Sequence, residues 1–345
     1  MDAGRMVAKV RGCLEGVWLG DMIGMPWETM SPDQIREACA EGVTGPSAES
    51  CVTDDWNLTE ACARSLIRRG GFDLLDLALS HVEEMEKSSD RWGRTTVKAV
   101  SEMRDYFRSR GGDGWSPYDV RSSAEPGRGR GNGVVMKATP FILWAACSNL
   151  VLSENPDPDR PFHLPDLGDQ LLLLGRMTHP DPQASIAACA FAIFLGSIVL
   201  EHPSAVSGSP RERASWLLAA TVNQVELMAD GSCPDRFVNR LRKLLNFDLL
   251  FGDASRLRQE IGTGSDALES VPFSLAVFLR HPDDFRSGVL EAVNAGGDTD
   301  TTGSMVGALI GANVGPEGIP TEWGERLPHG RMEELARGIS NRPSG

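Results

Sequence analysis

The chain has little with which to build a sheet. Of its 345 residues only two are Tyr, and aromatics make up 6%. Period-two runs rich in Val, Ile, Thr and Tyr are almost missing, so strands of the usual half-buried kind are not expected. Basic residues are in deficit: 34 Lys and Arg stand against 48 Asp and Glu, a formal net charge of −14. Neutralising phosphates along a duplex needs a basic face, and an anionic bilayer repels a net anion. Extended nucleic-acid binding and a membrane-surface partner are both disfavoured. No run of 18 or more apolar residues occurs, so no membrane-spanning helix is expected. The longest apolar run, 187–200, lies inside a helical pattern. The N-terminal residues lack the apolar segment of a secretory signal. No CxxC pair occurs among the seven cysteines, at 13, 39, 51, 62, 147, 189 and 233. They read as free thiols in a reducing cytoplasm, and a cysteine-based zinc site is disfavoured.

What the chain has is helical periodicity. Apolar residues recur at three- and four-residue steps over 54–69, 73–85, 95–108, 214–229, 235–245, 268–280, 283–294 and 301–314, and 182–200 is apolar enough to be a buried helix. Asp73, Thr95, Asp235 and Asp283 stand where N-caps belong. Turn-forming residues mark loops at 111–133, 155–165 and 202–211. The spacing predicts an all-α protein of more than ten helices, folded as one compact domain over 1–339 with a frayed tail at 340–345.

Three acidic elements carry the chemistry. Thr53-Asp54-Asp55 and Gly297-Asp298-Thr299-Asp300-Thr301 each place carboxylates beside hydroxyls at the mouth of a predicted helix. Adjacent carboxylates repel one another, and a hard divalent cation held by oxygen ligands removes the conflict, which points to Mg²⁺, Mn²⁺ or Ca²⁺. Helix capping by Asp and Thr explains the same residues without a metal. Gly296 and Gly297 permit a sharp turn or a close approach to a ligand. In Gly20-Asp21-Met22-Ile23-Gly24-Met25-Pro26-Trp27-Glu28, Pro26 ends the helix and leaves Glu28 at its C-terminal end, where the dipole disfavours an anion. Either a cation compensates it or solvent does.

These segments resemble the ADP-ribosylglycohydrolases, the family that includes the dinitrogenase-reductase-activating glycohydrolases. The similarity runs in order through GVWLGDMIGMPWE (16–28), TDD with Thr59, GNGVVMKATP (131–140), MTHP (177–180) and the segment 262–315, from about residue 10 to about residue 325. The resemblance implies a compact all-α bundle around a binuclear centre of two divalent cations, Mg²⁺ or Mn²⁺. It places Thr53, Asp54 and Asp55 on one metal, Asp300 as a bridge, Asp298 and Thr301 on the second, and Glu28 close by. It implies hydrolysis at C1″ of the distal ribose of an ADP-ribosyl group, in an ADP-ribosylated protein or a small ADP-ribose or nucleoside conjugate. Asp55 and Glu28 are both candidates for proton transfer. Gly131, Asn132, Gly133, His179, Trp92, Ser265 and Gly297 are the candidate substrate-binding residues. A lone His before Pro is more often a structural hydrogen-bonding group than a catalyst, so His179 is read as binding only. Trp92 equally suits a place in the core, and Arg128 and Arg130 either a diphosphate or solvent.

Departures from the family pattern bear on the leaving group. Trp56 follows Asp55 where Thr is common, Ser265 and Asp266 stand where an aromatic is common, and Trp92 lacks the preceding Pro-Thr-Gly. Two further readings therefore stand beside ADP-ribosyl hydrolysis: an N-glycosidase acting on a small nucleoside-like metabolite, and a non-catalytic ADP-ribose-binding protein.

Overall fold

The structure, a computed structural model, describes residues 2–112, 114–117, 129–152, 165–229 and 235–341. Arg128 and Cys233 lie outside them. Eighteen α-helices are present among the described residues and no strand. They are α1 Ala3–Gly24, α2 Pro32–Ala38, α3 Asp54–Arg69, α4 Leu74–Lys87, α5 Arg94–Arg110, α6 Thr139–Leu152, α7 Pro165–Thr178, α8 Pro182–Val199 and α9 Pro203–Val206. There follow α10 Pro210–Ala229, α11 Asp235–Lys243, α12 Phe247–Leu250, α13 Ala254–Ile261, α14 Ala267–Arg280, α15 Phe285–Asn294, α16 Thr299–Val314, α17 Thr321–Gly324 and α18 His329–Ser340. The all-α expectation holds.

Helix starts follow capping chemistry, with two displacements from the sequence reading. Asp73 caps α4 by accepting from the Asp76 amide. At α15 the cap is Asp284, which accepts from Ser287 N, whereas Asp283 is engaged by Arg213 and Asn313. At α5 the N-cap is Gly93 rather than Thr95, and the helix begins at Arg94; the Gly93 amide donates to Asp54 Oδ2 at 3.2 Å.

The apolar helix α8 is long enough to cross a bilayer, but 89% of it is buried inside the protein. Its side chains pack against α6, α7, α10, α14 and α16. It is the centre of the core, which explains why its residues show no polar face.

The closest packing lies between α1 and α16, and it builds the site. Gly12, Gly16, Gly20 and Gly24 recur every fourth residue along α1, on one face. They meet Gly311, Gly307, Gly303 and Thr299 in antiparallel order. A Cβ on Gly16 would stand 2.0 Å from the Gly307 carbonyl oxygen, and one on Gly20 2.0 Å from that of Gly303. Only glycine allows two backbones this near. Thr299 Oγ1 then donates to the Gly24 carbonyl at 2.8 Å. The C-terminal end of α1 is thereby fixed against the N-terminal end of α16, which brings Glu28 to Asp298 and Asp300 across 270 residues of sequence.

Candidate active site

Asp54 and Asp55 open α3, and Thr53 is its N-cap, with its hydroxyl accepting from Asp55 N at 3.2 Å. Capping therefore accounts for Thr53. It does not account for the carboxylates. Asp54 Oδ2 accepts from Gly93 N at 3.2 Å and Asp55 Oδ2 from Thr301 Oγ1 at 3.2 Å. Asp55 Oδ1 is buried with no hydrogen-bond partner among the described residues. Asp298 occupies the N-cap of α16, yet its side chain makes no capping bond; its Oδ2 instead accepts from Asn132 Nδ2 at 2.6 Å. Asp300 sits in the first turn, with Oδ1 accepting from Thr301 N at 2.9 Å. Glu28 follows the 3₁₀ turn Met25–Trp27 that ends α1, as the Pro26 reading predicts, and faces solvent at the mouth. Glu28, Asp298 and Asp300 each offer an oxygen within 4.8 Å of the others. The two helix-mouth clusters and the end of α1 thus converge.

Every carboxyl of this group is held above its usual range. Burial is the main cause throughout. It takes Asp54 to about 6, with Asp298 and Glu28 adding repulsion. Asp55 and Asp300 lie well above the ordinary value, each repelled further by the other acids of the cluster. Asp298 and Glu28 shift the same way. Five acids facing one space with so few donors is an arrangement that lacks positive charge. An oxygen-only donor set with one orphaned buried carboxylate oxygen suits hard divalent cations.

The sequence reading missed Asp21. Its carboxylate is fully buried and receives Thr53 Oγ1 at 2.9 Å, Thr53 N at 2.9 Å and Trp56 N at 3.0 Å. It thus satisfies the N-terminal amides of α3 from outside the helix and fixes the Thr53–Asp55 turn. Burial raises its pKa to about 7 despite these bonds. A single acid in the otherwise apolar stretch Val17–Met25 was the available signal.

The remaining predicted residues line one side. Asn132 Nδ2 also donates to Ser270 Oγ at 3.1 Å, and its own amide donates to the Ser265 carbonyl at 2.9 Å. Gly131 forms an isolated antiparallel bridge with Asp266. Gly133 has no room for a Cβ, which would stand 2.2 Å from the His179 ring. His179 is buried, with Nδ1 3.0 Å from Thr178 Oγ1. Gly297 has φ +87°, and its backbone exchanges bonds with Thr29 and Met30. Gly296, at φ +69°, completes the turn that the paired glycines imply. Ser265 is exposed at the rim. Trp92 is buried in the core beside the Gly93 amide that holds Asp54. Trp56 is buried too, with Nε1 donating to Glu60 at 3.1 Å. Arg130 forms a forked ion pair with Asp266, its Nη2 to Oδ2 at 2.6 Å, so its charge is already matched.

The chain matches the ADP-ribosylglycohydrolase family over residues 2–344. It belongs to that family. Among the relatives of this glycohydrolase is the ADP-ribosylhydrolase ARH3 of Bos taurus, 26% identical over 93% of this chain and 89% of that protein. Another is the ADP-ribosyl-[dinitrogen reductase] glycohydrolase of Rhodospirillum rubrum, 26% identical over 95% of this chain and 93% of that one. A solved ADP-ribosylglycohydrolase-related protein complex superposes with a TM-score of 0.68 at 23% identity, covering 98% of both chains, and shows the same fold. The family resemblance seen in the motifs and the all-α architecture are both borne out. The glycohydrolase matches these relatives along nearly its whole length, so the acidic cluster lies inside the shared region.

Proposed function

We propose that this glycohydrolase is a metal-dependent enzyme that cleaves the C1″ glycosidic bond of an ADP-ribosyl conjugate, with an ADP-ribosylated protein as the first substrate to test. The observation that carries this is the convergence of Glu28, Asp54, Asp55, Asp298 and Asp300, with Asp55 Oδ1 unpartnered among the described residues. Thr53, Asp54 and Asp55 would hold one divalent cation, Asp298 and Thr301 a second, with Asp300 between them and Glu28 at the edge. Held by these residues, two divalent cations, Mg²⁺ or Mn²⁺, would neutralise the cluster and would supply Lewis-acid chemistry for binding ribose hydroxyls and lowering the pKa of water.

The chain's own residues do the rest. Asn132 spans Asp298 and Ser270 and orients that carboxylate. Thr301 does the same for Asp55. The anionic surroundings favour the positive charge that develops at C1″ in an oxocarbenium-like transition state. Of the two proton-transfer candidates, Glu28 reaches solvent and Asp55 does not, so Glu28 is placed to exchange its proton between turnovers. The Gly131–Gly133 turn, His179 and Gly297 would seat the ADP-ribosyl group, with Ser265 at the rim and Trp92 supporting the wall behind Asp54. Six free thiols among the described residues suit a reducing compartment such as the cytoplasm.

The test is release of ADP-ribose from arginine-, serine-, acetyl- and nucleic-acid-linked conjugates with Mg²⁺ or Mn²⁺ present. Turnover of any one supports the reading. Metal binding without turnover of any of them overturns it. Tight ADP-ribose binding with no cleavage would make the protein a binding module, and turnover of a simple ribosyl compound alone would make it a small-molecule N-glycosidase.

A further inference from the structure

Behind the Gly131–Gly133 turn runs a chain of buried hydrogen bonds centred on the Lys137 ammonium, which donates in both directions. His81 Nδ1 lies 2.7 Å from the Leu77 carbonyl oxygen. A carbonyl only accepts, so His81 Nδ1 carries the hydrogen and its Nε2 is an acceptor. That Nε2 lies 3.1 Å from Lys137 Nζ, an ammonium that only donates. Lys137 Nζ donates a second time, to Thr178 Oγ1 at 2.8 Å. The Thr178 hydroxyl, accepting there, has one hydrogen to give, and among the described residues its neighbour at 3.0 Å is His179 Nδ1. The Thr178 oxygen could accept twice, but a hydrogen on His179 Nδ1 would leave the buried Thr178 hydroxyl hydrogen with no hydrogen bond among the described residues. Nδ1 therefore accepts, and the ring hydrogen sits on Nε2. That Nε2 makes no hydrogen bond among the described residues. It lies against the Gly131–Gly133 turn, where a Cβ on Gly133 would come within 2.8 Å of it and one on Gly131 within 3.3 Å.

We propose that Lys137 is a positioning residue: acting through Thr178, it fixes His179 as the Nε2–H tautomer and so presents a permanent donor to an acceptor oxygen or nitrogen of the ADP-ribosyl group. This rests on the functional reading above for the identity of the ligand, and on hydrogen-bond direction for the tautomer. The surroundings agree. Burial beside Lys137 holds His179 down to about 3 and His81 well below its usual range, so both rings are neutral. Lys137 itself is lowered by burial only to about 8 and keeps its proton at neutral pH. A neutral ring with one nitrogen committed to Thr178 has only one nitrogen left for the substrate, and it is a donor. The residue after Met136 in the GNG segment is basic for a reason that lies behind the site rather than in it.

The test reads the tautomers directly. The full-length protein is labelled with ¹⁵N-histidine, and long-range proton–nitrogen spectra separate protonated from bare ring nitrogens. His179→Gln and His81→Gln assign the two rings. The expected wild-type result is a protonated Nε2 on His179 and a protonated Nδ1 on His81. Thr178→Val, nearly isosteric, removes the hydroxyl; both tautomers of His179 should then appear. KM or the ADP-ribose Kd should rise about two-fold for an even mixture, in proportion to the share of the ring that leaves the Nε2–H form, with kcat changing much less. Lys137→Met should mix the tautomers in the same way; if it does not fold, Thr178→Val decides alone. A bare Nε2 on wild-type His179, or a single unchanged tautomer in either folded variant, overturns the proposal. Correct tautomers in a wild-type protein that does not bind ADP-ribose would instead overturn the functional reading, and the substrate contact with it.

Discussion

Asp300 and Asp55 illustrate what a single carboxylate does here. Each is almost fully buried, with burial the larger cost; Asp300 is repelled further by Asp298, Asp55 and Glu28, and Asp55 by Asp21, Asp54 and Asp298. A protein keeps such a group only if something offsets it. Asp300→Asn tests whether that something is a cation. The amide keeps the shape and the acceptor for Thr301 N, but removes one charge from the cluster. The metal-free variant should melt at a higher temperature than metal-free wild type at pH 8, because like-charge repulsion is relieved. The same variant should lose at least about 100-fold in activity and in metal affinity, in line with the loss of a metal-supporting group. Scanning fluorimetry in EDTA and a metal titration check the two halves. A variant that melts lower without metal, or that retains activity, contradicts the assignment. Asp21 differs from these acids, since its oxygens are taken up by Thr53 and Trp56 amides and the Thr53 hydroxyl. Asp21→Asn should damage the Thr53–Asp55 turn and lower stability with and without metal, the opposite sign from Asp300→Asn.

At the scale of elements, the glycine face between α1 and α16 is the part on which the site most depends. Gly307→Val places a Cβ 2.1 Å from the Gly16 carbonyl oxygen, a clash with backbone that no rotamer relieves. It should cost about 3 kcal/mol or more, at the upper end of overpacking effects, and should weaken metal binding by separating Glu28 from Asp298. Gly330→Ala on α18 is the control: nothing stands within 4 Å of its Cβ. There the helix-propensity gain should stabilise by about 0.5–1 kcal/mol and leave activity unchanged. Thermal melts of the two variants decide. The elements and the contact between them are unequally legible in the sequence. The 3.6-residue period and the capping aspartates disclose the helices, because those signals are local. Asp284 rather than Asp283 caps α15, since that choice turns on Arg213 and Asn313 from elsewhere. The Glu28–Asp298–Asp300 grouping is legible only through motif resemblance. Its physical cause, antiparallel glycine registry, joins residues nearly 300 positions apart. Arg130 reads equally as facing a diphosphate or solvent, and its pairing with Asp266 is invisible for the same reason.

For the whole molecule the surplus of acid becomes a statement about linkage. The net charge of −14 is not spread evenly: four buried acids, Asp54, Asp55, Asp298 and Asp300, gather behind a fifth, Glu28, at the mouth of the site. Asp54 and Asp21 have pKa values raised to about 6 and about 7, against ordinary values near 4. The folded metal-free protein therefore binds more protons than the unfolded chain between pH 4 and 7. Stability is then fully present below pH 4 as far as these groups are concerned, and is lost as pH rises through 6 and 7. Raising a pKa by one is worth about 1.4 kcal/mol, so Asp54 alone contributes on the order of 3 kcal/mol to this slope. A divalent cation binds the deprotonated cluster and reverses the trend, because it competes with those same protons. In EDTA the melting temperature should fall between pH 5 and pH 8. With millimolar Mg²⁺ or Mn²⁺ it should fall less or rise, so that the metal-induced increment grows with pH. Surface repulsion in so acidic a chain also lowers stability at high pH, but raised ionic strength screens it and leaves the buried cluster nearly untouched. The decisive measurement is the increment at pH 5 against pH 8 in 0.5 M salt, repeated with Asp300→Asn. An increment that does not change with pH, or one that survives the substitution, would mean the acids are not where the metal binds.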